Sequence, residues 1–331
     1  LRRTGVGREE AFASPRVHSD CCPVPSDVAM SMITSQPDAP GPIRDLFDQP
    51  AGGPTVVRIL LGAQLRRLRE AGGVTREAAG HAIRGSASKI SRMELGRVGF
   101  KERDVADLCT LYGLHDVRER ATLLGLIAQA NAPGWWHHYG DAVPEWFEAY
   151  VGLEQAASLI RVYDAHSVPG LLQTEDYARV LIGLNYPAAT ADEIDRKVSL
   201  RMTRQQLLRR ADAPQLWVVM DEAAVRRPLG GQQVMRAQLL HLLDLARLRN
   251  VTLQIVPFHG GGHPAIGAPF TILRFSQPDL PDIVYLEQLT SALYLDKRED
   301  LDHYMAVMNR LAVQATPAAT LETLRSILDG M

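Results

Sequence analysis

The stretch "GSASKISRMELG", Gly85–Gly96, decides how the first half of the chain is read. Ile90 and Met93 stand three residues apart and are its only large apolar side chains before Leu95. At about 100° per residue, Ser88 falls almost opposite that pair, flanked by Ser91 and Arg92, with Lys89 at the side. Ser86 is a good N-cap. A helix this short and this polar cannot stand alone, so Ile90 and Met93 must dock it on a larger bundle. The face left outward carries small hydroxyls and cations. Such a face fits a DNA major groove: serines approach base edges or phosphates closely, and Arg92 is long enough to grip guanine O6 and N7. Solvated helix faces are polar for ordinary reasons too, so the neighbourhood has to weigh in.

It does so first through charge. The 331 residues carry a formal net charge of −2 with 46% apolar and 22% charged residues, which suits two or three folded domains and excludes a polyanion binder overall. From Val56 to Gly113, however, eleven Lys and Arg face six Asp and Glu, leaving the rest of the chain near −7. A basic footprint inside a near-neutral protein points to that segment as the nucleic-acid surface.

Helical patterns surround the opening stretch. "VVRILLGAQLRRLREAGG" places Val57, Leu61, Leu65 and Leu68 on one face and ends at Gly72-Gly73. "TREAAGHAI" opens on Thr75 as N-cap, with Ala78, Ala79, Ala82 and Ile83 as a small-residue face. A tight turn at Arg84-Gly85 then leads into Ser86, which makes the pair a helix-turn-helix. "KERDVADLCTLYGL" and "VRERATLLGLIAQAN" add two more amphipathic helices. The expected fold is therefore an all-α five-helix unit over residues 55–131.

"LRRLREAGGVTREAAG" and "SASKISRMELGR" resemble the xenobiotic-response-element, or lambda-repressor-like, helix-turn-helix family over Val56 to about Gly113. The resemblance implies a buried ion pair between Arg69 of the first helix and Glu94 after the recognition helix. It implies base reading at Ala87, Ser88 and Arg92, phosphate contact at Ser86, and Thr75 and Arg76 facing the DNA backbone. Lys89 completes this DNA-binding set. The chain departs from the family in two places. Ala87 can read at most a thymine methyl, and Arg76 replaces a common Gln, so the operator cannot be borrowed from relatives.

Residues 1–54 mix Pro, Gly, Ser and Asp without periodicity and are expected to be a disordered tail. The chain opens on Leu1, and Met30 and Met32 are available internal starts, so part of this stretch reads as tail or upstream sequence. Residues 132–144 form an aromatic linker around "GWWHHYG". Residues 145–331 mix helical patterns (146–163, 174–184, 191–210, 232–248) with strand-like runs at 216–220, 251–258, 270–275 and 283–289. "ALYL" is a possible fifth strand and two closing helices follow, which predicts an α+β domain. "VPGLLQTEDYARVL", "VTLQIVPF" and "VYLEQLTSALYLDKREDL" resemble the domain that follows this helix-turn-helix in many actinobacterial regulators of WhiJ or antitoxin-like type. That resemblance implies a regulator often paired with a small partner protein encoded nearby.

Other constellations carry less. Trp135-Trp136 beside His137-His138 is either a ligand cage or, more ordinarily, aromatic packing. His259 and His263 have a zinc-friendly count, but "HGGGH" is a glycine loop and cannot present them on one helix face. Asp221, Glu222 and Glu287 are candidates for acid–base work, but read better as edge or cap groups. "VPGLLQTEDYA" reads as a turn into a helix capped by Thr174, either architectural or facing a partner. No Ser-His-Asp or Cys-His signature stands out, and Cys21, Cys22 and Cys109 make no zinc or disulfide spacing. The start lacks the charged–apolar–small order of a signal peptide, and no apolar run is long enough to span a membrane. The expectation is a cytoplasmic, homodimeric regulator of double-stranded DNA, without catalytic residues, metal or cofactor.

Overall fold

Five helices form around one apolar core in the first part of the computed structural model, which describes residues 53–265, 269–277 and 280–331. The expected 1–54 tail lies outside these residues except for Gly53 and Pro54. Helix α1 (Pro54–Ala71) opens with that Pro in its first turn, where the missing N–H costs nothing. Three of the following helices are capped by side chains: α2 (Arg76–Ala82) by Thr75, α3 (Ala87–Glu94) by Ser86 and α5 (Val117–Ala130) by Asp116. Helix α4 (Glu102–Leu111) lies between the last two. Leu61, Leu65, Ile90, Met93, Leu108 and Leu123 are sealed together at the centre.

Two details differ from the sequence pattern. On α2 the buried residues are Ala79 and Gly80, with Ile83 at the cap, while Ala78 and Ala82 face solvent. Gly80 is buried because α3 comes in over it: a Cβ there would lie 2.8 Å from the Ser86 carbonyl carbon. Helix α1 also has a second apolar side, with Val56 and Leu60 packed against Ala156 and Leu280 of the following domain.

Residues 132–144, expected as a linker, are built structure. Trp135–Ala142 is 3-10 helix kinked at Gly140 (φ 53°), and Trp136 packs with Val143, Val151 and Leu200. The Trp135 indole N–H donates to Gln155 Oε1 at 3.0 Å. This is the aromatic-packing alternative.

The second domain corrects the expected α+β class. Its six strands lie in the order β3-β2-β1-β4-β5-β6. Strands β1 (Leu159–Asp164), β2 (Gln215–Asp221) and β3 (Val251–Val256) run parallel, joined by α7 (Glu175–Asn185), α8 (Ala191–Gln205), the short α9 (Glu222–Arg226) and α10 (Gly231–Leu245). Strands β4 (Phe270–Arg274), β5 (Ile283–Glu287) and β6 (Ala292–Leu295) complete it antiparallel, with β4 against β1. The result is a mixed α/β sheet. Helix α11 (Arg298–Gln314) covers one face through Met308 and Leu311. The other face packs on α7, α10 and α12 (Pro317–Asp329).

The misread element is the central one. Residues 146–163, expected as one helix, divide into α6 (Glu145–Ala156) and β1. Ile160 and Tyr163, the fully buried residues of the strand, stand three apart and so imitate a helix face. The chain leaves the helix at Ala157 (φ −65°, ψ 138°), and the Ser158 N–H bonds the Arg274 carbonyl at 2.8 Å. Pairing with strands on both sides then overrides the local pattern. No helix among the described residues is long and apolar enough to cross a membrane.

Candidate nucleic-acid interface

Helix α2 ends in a left-handed residue, and that residue is Arg84 (φ 53°), not the glycine beside it. The Gly85 N–H returns to the Gly80 carbonyl at 2.8 Å and the Arg84 N–H to the His81 carbonyl at 3.1 Å, the paired bonds of a Schellman cap. Sequence reasoning assigned the turn to Arg84-Gly85 together and gave Arg84 no part in the site. Its exposed side chain adds a cation at the head of α3. Only the neighbouring glycine hinted at the conformation.

Two hydroxyls predicted for DNA contact first serve the fold. Thr75 Oγ1 accepts from the Ala78 N–H at 3.2 Å, and Ser86 Oγ accepts from the Lys89 N–H at 3.2 Å. Each hydroxyl keeps its own hydrogen to donate outward. Ile90 and Met93 are buried on the opposite side of α3. Ser88 and Arg92 are exposed, Ala87 and Ser91 half-buried, and Arg92 Nε lies 3.4 Å from the Ser88 carbonyl oxygen one turn earlier.

The cations of the set divide sharply. Arg69 Nε donates to Glu94 Oε1 at 2.5 Å and its Nη2 to Oε2 at 3.2 Å, while Nη1 reaches the Val74 carbonyl at 3.0 Å. The Glu94 side chain is 2% exposed, and hydrogen bonding to it raises the Arg69 guanidinium above its ordinary value. The two residues assigned as an ion pair are thus joined, tying α1 to the end of α3. Arg76, expected to face the DNA backbone, donates its Nε to Glu94 Oε2 at 3.0 Å, so it braces the same carboxylate with its side chain 40% exposed. Lys89, expected on DNA, gives its ammonium to Asp104 Oδ2 at 2.5 Å and clamps α3 to α4. Nearby acids thus hold Arg76 and Lys89 in the structure, and Arg92 is the assigned cation of α3 left pointing outward.

Close backbone approach makes this geometry possible. A Cβ on Gly62 would stand 2.3 Å from the Met93 carbonyl oxygen, so α3 rests directly on α1 there. Asn131 fastens the loop after α3, its Oδ1 accepting from the Phe100 N–H at 2.9 Å and its Nδ2 donating to the Phe100 carbonyl at 2.6 Å.

The remaining candidates fall apart as sites. Asp221 caps the Ala223 N–H and lies 3.3 Å from His263 Nε2, whose Nδ1 accepts from the Ala265 N–H; the ring pins the glycine loop to β2. Glu222 holds the Phe258 N–H at 2.7 Å and Arg226 at 2.5 Å. Glu287 lies three strands away from Asp221 and accepts from the Tyr285 hydroxyl at 3.1 Å. Among the described residues, no group of three or more His, Cys, Asp or Glu is placed to hold a metal ion.

A helix-turn-helix domain family matches residues 60–123, the segment that holds α2, α3 and the ion pair, and with it a DNA-binding role in regulation. No curated protein matches the chain, and no solved structure does. The domain of unknown function DUF5753 matches residues 147–326, which contain the whole mixed sheet and amount to more than half of the sequence, and the chain belongs to that family.

Proposed function

We propose that this protein is a sequence-specific transcriptional regulator of the xenobiotic-response-element kind, with α3 as the recognition helix and the α/β domain supplying dimerisation and a response to an effector. The observation that carries the reading is the outward face of α3, where Ser88 and Arg92 are exposed while Ile90, Met93 and Glu94 anchor the opposite side. In a homodimer two such helices enter successive major grooves about 34 Å apart on a pseudo-palindromic site. Selection of duplexes from a random pool by the full-length protein, followed by footprinting, tests it. The expected result is a two-part site about one helical turn between halves; failure to enrich any duplex defeats the reading.

A second reading is antitoxin-like: DNA contact serves autoregulation while the α/β domain sequesters a small neighbour protein. Its support is the last hairpin of the sheet, where Leu293 on the edge strand β6 is exposed and Leu289 in the turn before it is 99% exposed. Exposed apolar side chains on a sheet edge invite another chain. Copurification from the native host separates the two, since only this reading requires a stoichiometric small partner.

A further inference from the structure

The sheet of the second domain has a topological switch beside β1. The chain leaves β1 toward β2 and later returns on the other side as β4, so the carboxyl end of β1 opens between diverging connections. In open α/β sheets such crevices are where ligands bind. Here the crevice is a cleft of about 530 Å³, within the range of small-molecule sites. Tyr150, Phe270 and Tyr285 are among its apolar walls, and Ser167 and Thr271 bring hydroxyls to it.

Its charges are unevenly satisfied. Arg204 is locked to Glu154 by two bonds of 2.8 and 2.7 Å and stacks against Phe147 and Tyr150. Arg201, one turn earlier on α8, makes no ion pair among the described residues; its Nη1 donates only to the Gln173 amide oxygen, at 2.7 Å. Burial and the adjacent Arg204 pull the Arg201 guanidinium down to about 10, so at neutral pH it stays charged in a place that disfavours the charge. The exposed Arg227 adds a second cation. Of the acids, Asp164 is occupied in capping the His166 and Ser167 N–H groups, and Glu287 carries the Tyr285 hydroxyl.

The wall that presents Arg201 is rigid. Residues 168–174, "VPGLLQT", are held by three glutamines: Gln173 donates to the Val168 carbonyl, Gln205 to those of Gly170 and Gln173, and Gln238 to that of Leu172. Amides, two of them buried and that of Gln205 half-buried, spent on fixing a loop beside a guanidinium without an acid partner describe a preorganised receptor. Helix α6, joined to α8 through Arg204, shows Phe147, Tyr150 and Glu154 to the cleft, a stripe at helical spacing. The other stripe of α6 meets α1: a Cβ on Gly152 would lie 2.1 Å from Thr55 Oγ1, and Ala156 packs on Val56 and Leu60.

We propose that this cleft is the effector site, that it takes a small organic oxyanion (a carboxylate or phosphate ester on an apolar or aromatic body) with Arg201 as its anchor, and that α6 passes occupancy to α1. Planar guanidinium forks match both oxyanions. The relay rests on the DNA-binding reading above; the site does not.

Isothermal titration of the full-length chain with benzoate and phenyl phosphate, against benzyl alcohol and inorganic phosphate, tests the site. At least one aromatic oxyanion is expected to bind more tightly than both controls, with affinity reduced tenfold or more in Arg201→Gln. Leu229→Trp, which crowds a half-buried lining position, is expected to do the same, and thermal unfolding shows that each variant folds. No binding by either aromatic oxyanion, or equal binding by wild type and both variants, overturns the site. The same probe is then added to the protein on a duplex chosen by selection. A change in DNA affinity of threefold or more in wild type and none in Leu229→Trp supports the relay, and an unchanged wild type overturns it. A protein that selects no duplex defeats the DNA reading alone, since calorimetry decides the site without DNA.

Discussion

Each half of the molecule contains a buried arginine–glutamate pair, and the two do different work. Arg69–Glu94 is enclosed by helices, and a third side chain, Arg76, shares its carboxylate. Arg204–Glu154 is as deeply buried, but it borders a cleft and has the unpaired Arg201 for a neighbour. In the first case the charges finish a scaffold whose chemistry lies outside, on the opposite face of α3. In the second they form part of a concave wall. The same pair of residue types therefore marks a joint in one domain and a lining in the other, and what tells them apart is whether a further charge beside the pair is satisfied.

The largest expected effects test that contrast. Glu94→Ala and Glu154→Ala should each cost about 3–5 kcal/mol, because each leaves a buried guanidinium without its partner. Thermal unfolding measures the loss, and DNA binding should fail only for Glu94→Ala. If both variants lose DNA binding alike at temperatures where they remain folded, the two pairs are not separate devices. Gly62→Ala comes next at about 1–3 kcal/mol, since its new methyl meets the Met93 carbonyl and must push α3 off α1. Unaltered stability and unaltered DNA affinity for that variant would show that the close approach does not matter.

Arg92→Ala is expected to weaken binding to a selected duplex by about 1–3 kcal/mol and to relax the sequence at one base pair. Binding isotherms on matched and mismatched duplexes decide it, and equal affinity on both would remove Arg92 from the reading face. Lys89→Ala should be the mildest. Its ammonium belongs to Asp104, so stability falls by at most about 1 kcal/mol and the salt dependence of DNA binding keeps its slope. A slope flattened by about one unit would return Lys89 to the phosphate contacts.

The same contrast explains what could be read from the residues. The helix-turn-helix is local: caps at Thr75 and Ser86, the Ile90–Met93 pair and the outward Ser88 and Arg92 all lie within about twenty residues, so spacing alone exposes them. What escaped there was tertiary. The acids that hold Lys89 and Arg76 are 15 and 18 residues away in sequence. In the second domain the four longer strands other than β1 were legible from β-branched and aromatic runs. Strand β1 was not, because Ile160 and Tyr163 repeat at a helical interval and only pairing with β2 and β4 makes them a strand. The cleft was hidden for the same reason. Its walls come from α6, the 168–174 loop, α8 and four strands, and no window of sequence contains them.

The double-sided first helix has one last consequence. Val56 and Leu60 find their cover on Ala156 and Leu280, both beyond the point where a DNA-reading module would ordinarily be cut. An excised fragment ending near Asn131 would carry a raw oily seam along α1 and should clump or borrow a substitute surface. Evolution has soldered reader and receptor into one piece, so swapping either between proteins would mean redesigning that seam as well.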